Sequence, residues 1–172
     1  MTLAENWGAT AAECALSFDC DRLLARAPIR LHRAVSIAAP APLVFRWLCQ
    51  LKLAPYSYDL IDNFARTSPR ELTPGAERLE VGQRFMSIFS LVSFAAAEQI
   101  TLRARSTAVT YAVIAPSAER SRLLVRVLFA PGGPALLAAP LRRALALGDL
   151  VMMRKQLLTL KALSERDARR EA

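Results

Sequence analysis

The chain alternates, then turns helical, then alternates again. Ile29 to Ala38 carries Leu31, Arg33, Val35 and Ile37 on one parity, which predicts a strand with one apolar face. Pro40 and Pro42 stop it, and Pro42 suits the first turn of a helix. Leu43, Val44, Trp47, Leu48 and Leu51 then follow helical spacing up to Pro55. Asp59 to Arg66 reads as a second short helix, with Leu60, Ile61 and Phe64 on one side. Thr67 to Gly82 is polar and rich in Pro and Gly, which predicts a long loop of the kind that forms a lid or mouth. Strands are expected over Gln83 to Leu91, Ser93 to Ile100, Thr101 to Arg105, Val109 to Ala115 and Ser121 to Phe129. Turns fall at Ser106-Thr107 and Pro116 to Glu119.

From Pro140 to Arg166 the pattern is helical again. Leu150, Met153, Leu157, Leu160 and Leu163 make an apolar stripe, widened by Leu147, Val151 and Leu158, with Arg154, Lys155, Lys161 and Arg166 opposite. The order of elements predicts an α+β fold. A curved antiparallel sheet wraps around a long C-terminal helix, two short helices follow the first strand, and an apolar space lies between sheet and helix. Residues 1–28 read as an N-terminal arm packing on the domain, with capping-box spacing at Thr10 and Glu13. Residues 29–167 form the domain, and 168–172 a disordered tail.

Composition narrows the picture. Of 172 residues 53% are hydrophobic, which suits a large core or an apolar cavity. The richest stretch, Val127 to Met153, is broken by Pro, Gly and the Arg142-Arg143 pair, so no transmembrane span is expected. The acidic N-terminus lacks the basic start of a signal peptide, and a cytoplasmic location is the default. Cys14, Cys20 and Cys49 have neither metal nor disulfide spacing and read as reduced thiols. The net charge of +8 raises nucleic acid or anionic lipid as a partner. The positive residues are nearly all arginines, spread along the chain without an aromatic platform, so no nucleic-acid partner is expected. In residues 139–172, Arg142, Arg143, Arg154, Lys155, Lys161, Arg166, Arg169 and Arg170 outnumber the acids, which leaves weak contact with an anionic membrane as an expectation.

Candidate chemistry is sparse. His32 is the lone histidine, no motif sets a nucleophile beside it, and its parity is opposite to that of Arg33. Neither a metal site nor a cofactor is expected. Asp59 with Asp62, or with Glu77, could serve as acid and base, but the stronger reading is structural, with Asp59 capping the short helix that follows and Asp62-Asn63 on its polar face. Arg126 interrupts Leu123-Leu124-Val125-Arg126-Val127 on the face away from Leu123, Val125, Val127 and Phe129. It is expected in water or paired with a carboxylate, Asp59 being the one proposed. Tyr56, Tyr58 and Tyr111 are the tyrosines, suited to orienting a carbonyl or hydroxyl in an apolar pocket.

Several stretches together resemble one superfamily. They are Trp7-Gly8-Ala9-Thr10 with Glu13, Ala34 to Pro40 with Val44, Trp47 and Leu48, then Tyr56-Ser57-Tyr58-Asp59 with Asp62-Asn63. Val81-Gly82, Arg122 to Arg126, and Met152 to Lys161 follow in order. Over residues 7–165 the chain resembles the SRPBCC, START-like or helix-grip proteins, which include polyketide cyclases and lipid carriers, and above all their bacterial members of unassigned function. The resemblance implies a small hydrophobic ligand (a lipid, polyketide or aromatic) in an internal cavity. With strand parity, it implies that Trp47, Tyr56, Tyr58, Phe85, Phe89, Tyr111, Val125, Met153 and Leu157 border that cavity, with Tyr56 or Tyr58 near its mouth. The alternatives are a metal-free cyclase or aromatase-type enzyme using Tyr58 and Asp59, and a membrane or protein-interaction module using the basic C-terminal helix. A monomer or homodimer is expected.

Overall fold

The computed structural model describes residues 1–58, 67–131 and 138–171. Its elements are β1 (Asn6–Trp7), α1 (Ala11–Ala15), α2 (Asp19–Leu23), β2 (Ile29–Ile37), α3 (Ala41–Cys49) with a following 3₁₀ turn (Gln50–Lys52), β3 (Arg84–Phe85), β4 (Phe89–Ala95), β5 (Gln99–Ala104), β6 (Thr107–Ser117), β7 (Arg120–Phe129) and α4 (Ala138–Glu171). The strands form one curved seven-stranded sheet in the order β1-β2-β7-β6-β5-β4-β3. All neighbours are antiparallel except β1, which runs parallel to β2.

Parity sorts the sheet into two faces. Leu31, Val35 and Ile37 of β2, Val109, Tyr111 and Val113 of β6, and Leu123, Val125 and Val127 of β7 share the main core with α3 and α4. On α4 the buried positions are Ala146, Met153, Gln156, Leu157, Leu160, Leu163, Ser164 and Asp167. This is the expected stripe, rotated slightly toward polar positions. Leu150 is only half-buried, while Leu147 and Val151 face solvent instead of widening the stripe. The helix continues through Glu171, where a disordered tail was expected from 168. No helix among the described residues is long and apolar enough to cross a membrane.

Strand boundaries between 83 and 104 differ from the sequence expectation. The run Gln83 to Leu91 folds back on itself at Met86 and Ser87, both with positive φ, so Phe85 pairs with Phe89 in a tight hairpin. The run Ser93 to Ile100 turns at residues 96–98, with Ala97 at φ 62°, and not after Ile100. Residues 67–82 are a loop as expected, but not a mouth element. Thr73 and Gln50 bond reciprocally, Lys52 donates to the carbonyls of Gly75 and Arg78, and the segment is pinned over the end of α3. The helix expected over 59–66 lies outside the described residues.

The second face is covered by the N-terminal arm. Phe18 and Cys20 pack on Ala34, Ala108, Leu124 and Leu128. Thr10 and Glu13 cap α1 reciprocally, as their spacing predicts. Glu13 then forms a bidentate pair with Arg122, 2.7 and 2.9 Å, and the same guanidinium donates to the Gly8 carbonyl. Arg126 is buried and paired with a carboxylate, as one of the two expectations had it, while Asp59, the partner proposed for it, lies outside the described residues. Arg126 donates to Asp21 Oδ2 at 2.6 Å and to the Cys14 carbonyl, and lies 4.4 Å from the Phe18 ring centre. The arm supplies the acceptor because it, and not solvent, lies over that face.

Gly8 makes the arm's close approach possible. Its φ is +82°, and a Cβ built there would stand 2.2 Å from the Ala34 carbonyl oxygen. Gly8→Ala is expected to destabilise the protein by about 1–3 kcal/mol in urea denaturation.

His32 is buried on the arm side of β2. Burial, then the charges of Arg126, Arg33 and Arg30, lower its pKa to about 4 from an ordinary 6.5. A depressed histidine favours the folded state above pH 6.5, and that contribution is lost as pH falls through 4. NMR titration of the ring should give a midpoint near 4, and His32→Gln should flatten the pH dependence of urea stability in that window. A midpoint near 6.5 would contradict this.

Candidate functional site

The N-terminal half of α4 carries small residues, Ala144 and Gly148, on the side toward the sheet, and leaves an opening there. A cavity of about 580 Å³ lies between it, the ends of β6 and β7, and the β3–β4 hairpin. Val109, Val127, Phe129, Leu145, Met152 and Met153 make its wall mainly apolar, and the exposed Ser87, Ile88 and Gly148 stand at its edge. Pro55 and Ser57 reach it from the segment after α3.

Its polar groups are few and fixed. The Tyr111 hydroxyl donates to Gln156 Oε1 at 2.8 Å, and Gln156 Nε2 donates to the Pro55 carbonyl at 2.6 Å. Burial pushes the Tyr111 phenol above its ordinary range, and the charge of Asp149 adds to that, so the hydroxyl stays protonated. Asp149 is the charged side chain among the described residues lining the cavity. Its Oδ2 accepts from Arg33 Nε at 3.0 Å and Nη2 at 2.8 Å.

Arg33 is wholly buried, on the inward parity of β2. Besides Asp149 it donates to the carbonyls of His32, Ala4 and Ala146. Burial acts against both charges. The Asp149 carboxyl is pushed up to about 6 by burial, against the pull of Arg33, and remains ionised at neutral pH. Burial likewise lowers the Arg33 guanidinium, against the pull of Asp149.

Of the side chains expected to border the pocket, Phe89, Tyr111 and Met153 line it. Phe85, Val125 and Leu157 are core residues away from its wall. Trp47 packs toward the far end of α4, where its Nε1 donates to Asp167 Oδ2 at 3.1 Å. Tyr56 is buried edge-on against Trp47, with centroids 5.9 Å apart, Tyr58 is 38% exposed, and neither is among the side chains lining the cavity. Asp59, Asp62 and Asn63 lie outside the described residues, and Glu77 is exposed. Asp149, Gln156, Met152 and Met86 were not anticipated. The signal for the first two was an interruption: they sit seven residues apart on the buried stripe of α4, and each reads alone as a solvated polar residue. No cluster of metal-ligating side chains occurs among the described residues.

Much of the basic face of α4 is engaged within the chain. Lys161 pairs with Glu165 and donates to the Ser36 carbonyl, Arg166 pairs with Asp167 and Glu71, and Arg154 lies 5.8 Å from the Trp7 ring centre.

The buried pair gives a direct test. Asp149→Ala strands the Arg33 charge and should cost about 3–5 kcal/mol in urea denaturation. The double change Arg33→Met with Asp149→Leu should recover most of that loss, since an apolar pair of similar volume is often neutral.

No protein-family model matches the chain, and no curated protein matches it in sequence. Solved structures do. A hypothetical protein of Helicobacter pylori is 12% identical, with a TM-score of 0.54 over 87% of this chain and 96% of that one. The Zhui aromatase/cyclase of a Streptomyces species is 16% identical, with a TM-score of 0.47 over 83% and 95% of the two chains. The di-domain aromatase/cyclase StfQ of the steffimycin pathway is 17% identical, with a TM-score of 0.43 over 82% of this chain and 47% of that one. The curved sheet closed by a long C-terminal helix is the helix-grip arrangement, and the chain shares the fold of the Helicobacter pylori protein.

Proposed function

We propose that the protein binds a small hydrophobic molecule in the cavity between α4 and the sheet, and carries it in the cytoplasm. The observation that supports this is the cavity itself. Its volume of about 580 Å³ falls within the range of small-molecule sites, about 300–1,000 Å³. Its wall is mainly apolar, and among its polar groups Tyr111, Gln156 and Asp149 converge from two elements, with Ser57, Ser87 and Thr107 also on the lining. Such a wall supplies affinity without directional demand, and a few fixed polar groups orient the occupant.

A cyclase-type reaction is the second reading. It is favoured by Asp149, a carboxyl with its pKa raised to about 6 at the cavity wall, the range useful for proton transfer. The candidates named from sequence support it less, since Tyr58 is exposed and away from the wall. Recovery of a polyketide-like ligand chemically unchanged after incubation would reject this reading and leave the carrier.

Native mass spectrometry of gently purified protein should show a co-purifying small apolar molecule. Titration with a fluorescent hydrophobic probe should saturate with micromolar-order affinity, about −8 kcal/mol. Gly148 offers a variant that separates binding from folding, because a Cβ there meets nothing within 4 Å and its φ needs no glycine. Gly148→Phe should place a ring at the cavity edge and weaken probe binding about tenfold or more, without loss of thermal stability, since removing a helical glycine stabilises by up to about 1 kcal/mol. Unchanged binding in that variant, or no saturable binding to the parent, would reject the cavity as the site.

A further inference from the structure

The polar arrangement at the cavity is asymmetric. Arg33 is sealed behind the wall and does not line it, whereas Asp149 does. Only Oδ2 of Asp149 is used by the guanidinium, and Oδ1 has no hydrogen-bond partner among the described residues. The side chain of Asp149 is 8% exposed, and it stands on the cavity wall. Tyr111 and Gln156, across the same space, satisfy each other and the Pro55 carbonyl. The wall of the cavity thus presents a carboxylate oxygen whose charge is already balanced from behind.

Resting on the carrier reading above, we propose that the occupant is an uncharged apolar molecule bearing a hydroxyl, phenolic for choice, that donates to Asp149 Oδ1. A free fatty acid or other carboxylate is disfavoured, because its charge would face the carboxylate across a low-dielectric space. An organic cation is disfavoured too. Arg33 already neutralises Asp149, so a second positive charge would be buried without a counter-charge of its own. A neutral O–H donor satisfies the free oxygen and adds no charge, and hydrogen bonds to a charged acceptor are the stronger kind.

Three probes on one ring system test this: naphthalene, 2-naphthol and 2-naphthoate, each titrated against the parent protein at pH 7.5 by displacement of a fluorescent hydrophobic probe. We expect 2-naphthol to bind about tenfold or more tighter than naphthalene, as for a hydrogen bond to a charged group, and 2-naphthoate to bind weaker than both. In Asp149→Asn the preference for naphthol over naphthalene should shrink to about threefold or less. Circular dichroism and urea denaturation report whether that variant is folded, and if it is not, the parent series decides alone. Naphthol and naphthalene binding equally, naphthoate binding as tightly as naphthol, or a naphthol preference that survives in folded Asp149→Asn would each overturn the inference while leaving the carrier reading intact. Failure of all three probes and of the fluorescent probe would overturn the carrier reading itself.

Discussion

The rest of the structure depends on one buried charge. Arg33 cannot shed its proton and stands on the inward face of β2, where water does not reach it. Its donors have acceptors on β2, on the N-terminal segment through Ala4, and on α4 through Asp149 and Ala146. A pair of this kind is poor evidence for stability, since removing both charges often costs nothing. Its strength is in rejecting alternatives. Rotating α4 by one residue would point Asp149 away and leave a guanidinium unpaired in the core. The pair therefore fixes which face of α4 meets the sheet, and so places Met153, Gln156, Leu157 and Leu160.

The same logic operates on the opposite face with weaker burial. Arg122 and Arg126 leave β7 on the side away from α4, and the arm brings Glu13, Asp21 and several carbonyls to meet them. Arg122 holds the Glu13 carboxyl down to about 2 from an ordinary 4.5, so this clamp stays charged until strongly acid pH. The arm also gives the backbone N–H of Cys20 to Thr110, which is bonded in turn to Thr101. Both hydroxyls are thus partnered on a sheet face that the arm covers.

What the sequence made legible was periodicity, and what it concealed was depth and partnership. Strand parity assigned Leu123, Val125, Val127 and Phe129 to the helix side, where they are. It could not say which of them touch an empty space, so Val125 and Phe85 were expected in the cavity wall while Val127 and Phe129 line it. The hairpin at Met86-Ser87 and the turn at Ala97 were hidden because positive φ is taken there without glycine. Partnership of charges was hidden. Arg33, Asp149 and Arg126 each interrupt an apolar pattern, and the sequence does not name a partner that lies 116 residues away, as Asp149 does from Arg33.

The cavity and the ion pair are two aspects of one construction. From Met153 onward, α4 meets the sheet and α3 through Leu157, Leu160 and Leu163, which close-pack. Toward its N-terminus the stripe gives way to Ala144 and Gly148, too small to fill the distance to β6 and β7. A helix end left without apolar contact would have little to hold it over the sheet. Alongside the packing of Ala146 and Leu145, Arg33 and Asp149 span that interval with a directional contact, and they do so beside the space and not through it. The opening persists because the helix is tethered there by charge, and the tether in turn puts a carboxylate oxygen on the wall of an otherwise greasy pocket.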